Sequence, residues 1–295
     1  MKKIDLIGVQ MDLGAATRGV NMGPAAIRYA GVVKGIEELG IECNDKGDLI
    51  PKAKGESRDD MRCFEQVVDL NEKLYHEVLD SHKEGSFPIV LGGDHSIAAG
   101  SIPATLKHYK NIGVIWVDAH GDWNSPETSP SGNMHGMPYS AVCGAGPDIM
   151  ACFDGEKNFV NTKNCVQIAG RDIDKYERIR MKEHGVTVFS IADIDRMGMP
   201  AVVEEAIRIA SEGTEGIHVS FDVDAITPES APGTGTIVHS GLTLREAFYL
   251  VETLHESGKV IALDMVEVNP MLDTRNQTGD IASELILSML GKTVY

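Results

Sequence analysis

Basic residues are scarce in this chain: Lys and Arg number 27 against 44 Asp and Glu, a formal net charge of −17. A general nucleic-acid binder needs a basic face to neutralise phosphate, so that class is excluded. Cysteines are few, odd in number and scattered at Cys43, Cys63, Cys143, Cys152 and Cys165, with no CxxC pair. Neither a disulfide framework nor a thiolate zinc site follows from such spacing. No apolar run reaches the roughly 18 residues that a membrane span requires. The opening MKKIDLIGVQMDLG meets Asp12 and Gly14 too soon for a signal peptide. Fixed-period repeats, low-complexity tracts and Pro- or Ser-rich linkers are missing as well. The expectation is a single cytoplasmic domain over residues 1–295, with no nucleic-acid or membrane partner.

What is present is ordinary globular material, 42% hydrophobic and 24% charged. A chain near 300 residues buries about three quarters of its unfolded surface and needs no staples. Val- and Ile-rich runs at Ile4–Val9, Phe87–Leu91, Ile112–Val117, Cys165–Ala169, Val186–Phe189, Ile217–Val223 and Val260–Val266 read as buried parallel strands. Helical patterns fill the gaps: Pro24–Leu39, Asp60–Lys83, Ser96–Tyr109, Asp174–Glu183, Pro200–Ser211, Leu244–Glu256 and Gly279–Leu290. Thr243 with Glu246 three residues on reads as a capping box. Strand–helix alternation predicts an α/β fold, a mostly parallel sheet covered on both faces. The stretch Asp122–Gly146 is the longest weakly patterned piece, and loops of that length in compact domains are usually functional.

Sites in such sheets gather at the carboxyl ends of strands. There the sequence places Gly92-Gly93-Asp94-His95-Ser96, then Asp118-Ala119-His120-Gly121-Asp122, then Asp222-Val223-Asp224, then Glu267-Val268-Asn269-Pro270. In extended chain residues i, i+2 and i+4 share a side, so Asp118, His120 and Asp122 converge, as do Asp222 and Asp224. Each motif alone also reads as a turn, a solvated loop or a cap. Four strand ends delivering acids and imidazoles to one edge read differently. Four carboxylates crowded together repel one another, and a pair of divalent cations removes the conflict. Oxygen and imidazole donors without thiolate suit Mn²⁺, with Fe²⁺, Co²⁺ or Zn²⁺ as alternatives. Two such ions, about 3.5–4 Å apart, share a bridging hydroxide, a nucleophile at neutral pH.

These motifs resemble the arginase family of ureohydrolases over essentially the whole chain. The resemblance implies a three-layer α/β/α sandwich around a sheet of about eight strands. It also implies two Mn²⁺ ions per subunit, held by His95, Asp118, His120, Asp122, Asp222 and Asp224, and a homo-oligomer, trimer or hexamer. The implied reaction is hydrolysis of L-arginine to L-ornithine and urea. In it Glu267 pairs with the guanidinium, Asp122 takes a proton from the nucleophile and His135 shuttles a proton to the leaving amine.

Agmatinases and other guanidino-acid hydrolases share the metal motifs, so the substrate rests on other residues. Asn124, Ser131 and Asn133 fall on family positions that contact an α-carboxylate; Asp174 and Glu177 match two acids that contact an α-amino group. Thr236 matches a threonine near the guanidinium. Trp123, Lys175-Tyr176 and the stretch Ile237-Val238-His239-Ser240-Gly241 depart from the family pattern, the last lacking the usual proline and Gly-Gly pair. Those departures concern the pocket rim. A deacetylase-like hydrolase leaves Glu267 and the Asp-x-His-x-Asp set without a purpose. A non-catalytic binding protein should have lost a ligand, and none is missing.

Overall fold

The short apolar runs become strands and the amphipathic stretches become helices in the computed structural model, which describes residues 3–293. The strands are β1 (Lys3–Val9), β2 (Glu42–Leu49), β3 (Phe87–Leu91), β4 (Gly113–Val117), β5 (Cys165–Gly170), β6 (Thr187–Ser190), β7 (Ile217–Asp222) and β8 (Val260–Val266). Every strand pairing is parallel. The helices are α1 (Gly23–Tyr29), α2 (Val32–Glu38), α3 (Phe64–Lys83), α4 (Ala98–Tyr109), α5 (Pro138–Val142), α6 (Lys175–His184), α7 (Ile191–Met197), α8 (Met199–Ala210), α9 (Leu244–Ser257) and α10 (Gln277–Met289).

The eight strands form one sheet in the order β2-β1-β3-β8-β7-β4-β5-β6. Because side chains alternate along a strand, each strand serves two layers. Ile115 and Val117 of β4 belong to a core shared with α1, α2, α8, α9 and α10, through Ile27, Ile36, Val203, Leu250 and Leu285. Val114 and Trp116 belong to the opposite core, shared with α3, α4 and α5 through Leu70, Ile102 and Tyr139. Three layers result, as the resemblance implied.

Local differences from expectation have physical causes. Strand β2 was not expected, because its sequence ECNDKGDL is polar and largely exposed; it is a charged edge strand bonded only to β1. The helix expected over Pro24–Leu39 is two helices, parted where Gly31 adopts a left-handed φ of 92°. Helix α7 (Ile191–Met197) was not expected either; Ser190 and Asp193 cap it reciprocally. The Thr243–Glu246 box forms as read, with Thr243 N donating to Glu246 Oε2 at 2.8 Å and Glu246 N to Thr243 Oγ1 at 3.3 Å. The stretch Asp122–Gly146 holds the short α5 and is tied down by Asn124 N to Gly136 O at 3.0 Å and His135 N to Gly14 O at 3.1 Å.

Candidate metal and substrate site

The four neighbouring central strands β3, β8, β7 and β4 end at one place. His95 follows β3, Glu267 follows β8, Asp222 ends β7 with Asp224 in the turn after it, and Asp118, His120 and Asp122 follow β4. Backbone demands explain some of the intervening residues. A side chain at Gly93 would put its Cβ 1.7 Å from the Met11 carbonyl oxygen, so only glycine lets the chain pass there. Asp122 and Glu267 sit at left-handed φ of 47° and 64°. Such strain in non-glycine residues persists only where the surroundings enforce it, and it concentrates at working sites.

Within the cluster, His95 Nδ1 lies 3.0 Å from Asp118 Oδ2, 3.2 Å from Asp122 Oδ2 and 3.3 Å from Asp222 Oδ2. His120 Nδ1 lies 2.9 Å from Asp224 Oδ2 and 3.5 Å from Asp118 Oδ1. Two groups with metal-holding spacing follow, His95–Asp118–Asp122 and Asp118–His120–Asp224, and Asp118 belongs to both. His95 Nδ1 is buried and, among the described residues, makes no hydrogen bond despite its three close carboxylates. An imidazole nitrogen orphaned among anionic oxygens fits a cation's ligand set.

Surrounding residues fix these ligands. His95 Nε2 is bonded to Ser220 Oγ at 2.9 Å, and Ser220 Oγ donates to Asp264 Oδ2 at 3.4 Å. Asp264 Oδ2 is also met by His218 Nε2 at 3.0 Å and Ser101 Oγ at 2.7 Å. Trp116 Nε1 donates to Asp118 Oδ2 at 2.9 Å, while its ring stacks on His95 at 4.0 Å and on Tyr139 at 4.5 Å. Partners of this kind orient metal ligands and raise their basicity.

The chain's own charges leave the cluster in conflict. Burial, then repulsion from Asp118, pushes Asp122 up to about 7. Burial and the neighbouring Asp224 and Asp118 push Asp222 well upward. Burial disfavours the His95 cation, yet Asp118, Asp122 and Asp222 together draw its pKa well above the ordinary value. Cations placed among these groups would relieve all three.

A cavity of about 280 Å³ opens above the cluster. His120, Asp122, Asp222, Asp224 and Glu267 line it, while His95 and Asp118 lie beneath, each 1% exposed. The remaining residues singled out from sequence, Asn124, Ser131, Asn133, His135, Asp174, Glu177 and Thr236, all line the same cavity. His135 Nδ1 is 3.2 Å from Glu267 Oε1, and Asn124 Nδ2 donates to Asp174 Oδ2 at 3.2 Å. Glu177 is more engaged than sequence suggested. Its Oε2 accepts Asp174 N and its Oε1 accepts Trp123 N, both at 2.8 Å. Burial pushes its carboxyl up to about 8, with Asp122 and Asp174 adding to the rise against two backbone hydrogen bonds. A positive group beside it would be welcome.

The departures noted in sequence fall mostly outside the cavity. Trp123 is fully buried, edge-on to Tyr139 at 4.9 Å, and Tyr176 is exposed. Asp172 lines the cavity and was not singled out; its one signal was its place after β5 at the same sheet edge. Asp264 was likewise missed, and Ser220, although inside the Ser220–Asp224 stretch that matches the family, was given no role.

The family model described as Arginase family matches residues 2–291. The arginase of Staphylococcus aureus (strain MRSA252) is 44% identical over 300 residues, covering 99% of this chain and 98% of that protein. The crystal structure of arginase from Bacillus cereus superposes with a TM-score of 0.95 at 46% identity, covering 100% of both chains. The arginase structure from Bacillus caldovelox gives 0.96 at 43%, again covering 100% of both.

Proposed function

The chain belongs to the arginase family, and we propose on that premise that it hydrolyses L-arginine to L-ornithine and urea with two manganese ions per subunit. One observation carries the reading: a single cavity holds Glu267 and the clustered carboxylates together with Asp174, Glu177 and Asn124. It offers anionic partners both for a guanidinium and for an ammonium. The same reading makes the protein a cytoplasmic homo-oligomer, a trimer or hexamer; the family resemblance supports the oligomer, and five free cysteines fit a reducing compartment.

His95, Asp118 and Asp122 would hold one ion, and Asp118, His120 and Asp224 the other, with Asp222 beside His95 completing the set. Donors limited to carboxylate and imidazole favour manganese. When bound, the ions supply a water that is nucleophilic at neutral pH. Glu267 receives the planar guanidinium, whose paired N–H groups match a carboxylate, and holds the reacting carbon beside the cluster. Asp122, which lines the cavity beside the cluster, accepts a proton from the attacking water. His135, beside Glu267, delivers a proton to the departing ornithine nitrogen. Asn124, Ser131 and Asn133 donate neutral hydrogen bonds to the α-carboxylate. Asp174 and Glu177 attract the α-ammonium, and Thr236 borders the guanidinium. A site built on such polar partners rejects a guanidine that lacks them, because buried groups are left unpaired.

The test is urea release by manganese-loaded protein, with L-arginine and agmatine compared side by side. Strong preference for L-arginine supports the whole assignment. Preference for agmatine keeps the metal cluster and overturns the roles given to Asp174 and Glu177.

A further inference from the structure

Arg171 lies three residues before Asp174 in sequence, yet it does not line the cavity. Nε donates to His239 O at 3.1 Å. One terminal nitrogen donates to Ala169 O at 3.4 Å and Ala225 O at 3.2 Å; the other donates to Asp224 O at 2.6 Å and Val238 O at 2.8 Å. A guanidinium has five N–H donors, and here each meets a backbone carbonyl. The acceptors come from three separate segments: the end of β5, the turn after β7 that carries Asp224, and the irregular stretch that follows Thr236.

That third segment has little else to hold it. Among the described residues, 235–241 make no backbone-to-backbone hydrogen bond. Ser240, directly after two of the clamped carbonyls, is held at a left-handed φ of 63°. A Cβ at Gly241 would lie 2.7 Å from the Arg171 guanidinium and 2.6 Å from Ala225 O, so the packing there is already tight.

We propose that Arg171 is a positioning residue that clamps the Asp224 turn to the pocket wall bearing Thr236, fixing both the carboxylate cluster and the guanidinium end of the pocket. Lysine cannot replace it. An ammonium has three donors on a flexible stem and cannot reach five carbonyls arranged around a plane.

The inference rests on the functional reading above for its substrate half, and on the cluster alone for its metal half. The experiment is therefore a manganese titration of wild type and Arg171→Lys, followed by kcat and KM for L-arginine. Expected for Arg171→Lys are manganese affinity weakened by about 10–100-fold, as for lost supports of metal ligands generally, and a raised KM even at saturating manganese. Thermal destabilisation with unchanged manganese affinity and unchanged KM would overturn the proposal, reducing Arg171 to a structural staple. Should Arg171→Lys not fold, Arg171→Gln keeps a planar end with two donors in place of five. Weakened manganese binding in that variant supports the clamp; wild-type binding and KM overturn it. If wild type binds manganese but releases no urea from L-arginine, the substrate half is overturned with the functional reading, and the titration still decides the metal half.

Discussion

His135 Nδ1 stands 3.2 Å from Glu267 Oε1, joining the long loop after β4 to the residue after β8 within the cavity wall. Burial opposes a charged ring there, but the hydrogen bond and charge of Glu267, with Asp94 and Asp122, raise the His135 pKa to about 9. A histidine raised above its unfolded value of about 6.5 stabilises the fold fully below that pH. The contribution is lost as pH climbs through about 9. In chelator, the melting temperature should therefore fall between about pH 6 and pH 9, and fall less in His135→Gln. Equal drops in the two proteins would show that the pair contributes nothing.

Asp118 belongs to both candidate metal groups, whereas His120 belongs to one. Asp118→Asn should strip manganese from the whole cluster, while His120→Asn should leave about one ion per subunit held by His95, Asp118 and Asp122. Metal analysis of dialysed protein separates the two. Chelation of wild type should abolish activity and lower the melting temperature, with manganese restoring both.

Glu267 makes no part of either group, though its Oε1 accepts the His95 backbone N–H at 2.9 Å. Glu267→Gln keeps the shape and removes the charge that meets the guanidinium. Turnover should drop by about 10²–10³-fold, the scale of a lost charge partner in a closed site, at full manganese content. Loss of manganese in step with activity would instead make Glu267 a support of the ligands.

The two acids near the proposed amine end should behave differently. Asp174→Asn should raise KM for L-arginine by about tenfold or more, leaving agmatine turnover and melting temperature near wild type. Glu177→Gln should also destabilise the protein by about 1–3 kcal/mol, because an amide cannot accept both the Asp174 and Trp123 N–H groups. Identical kinetic and thermal effects in both variants would argue against this division of labour.

Ser240 carries a backbone conformation that glycine adopts freely. Ser240→Gly should raise stability by about 0.5–1 kcal/mol, the left-handed strain released less the extra freedom glycine gains when unfolded. Thermal melts decide it. A lowered melting temperature would mean the serine side chain makes a compensating contact.

Much of this site was legible because its residues obey the arithmetic of strands. Asp118, His120 and Asp122 alternate as an extended chain requires, and the apolar runs before them mark where the strands end. What stayed hidden depends on tertiary context. The edge strand β2 is too polar to announce itself, and only its pairing with β1 makes it a strand. The break at Gly31 lies inside an uninterrupted helical pattern. Trp123 read as a rim residue because its neighbours in sequence line the cavity, yet its ring turns into the core. Glu177 read as an amine contact and Arg171 carried no role; only the folded backbone shows that Glu177 also takes the Trp123 N–H and that Arg171 bonds to carbonyls of three segments.

The strand order has one more implication, for the timing of assembly. β3 and β4 follow each other in the chain, yet β8 and β7 stand between them in the sheet. His95 and Asp118 therefore cannot settle at 3.0 Å until residues from the last third of the chain have slipped in between their strands. During synthesis the first half of the protein carries these ligands as an open, unpaired gap. Pairings this distant in sequence form slowly, and exposed strand edges invite wrong partners meanwhile. Truncation anywhere before β8 removes the sheet's centre, and with it any route to a finished cluster.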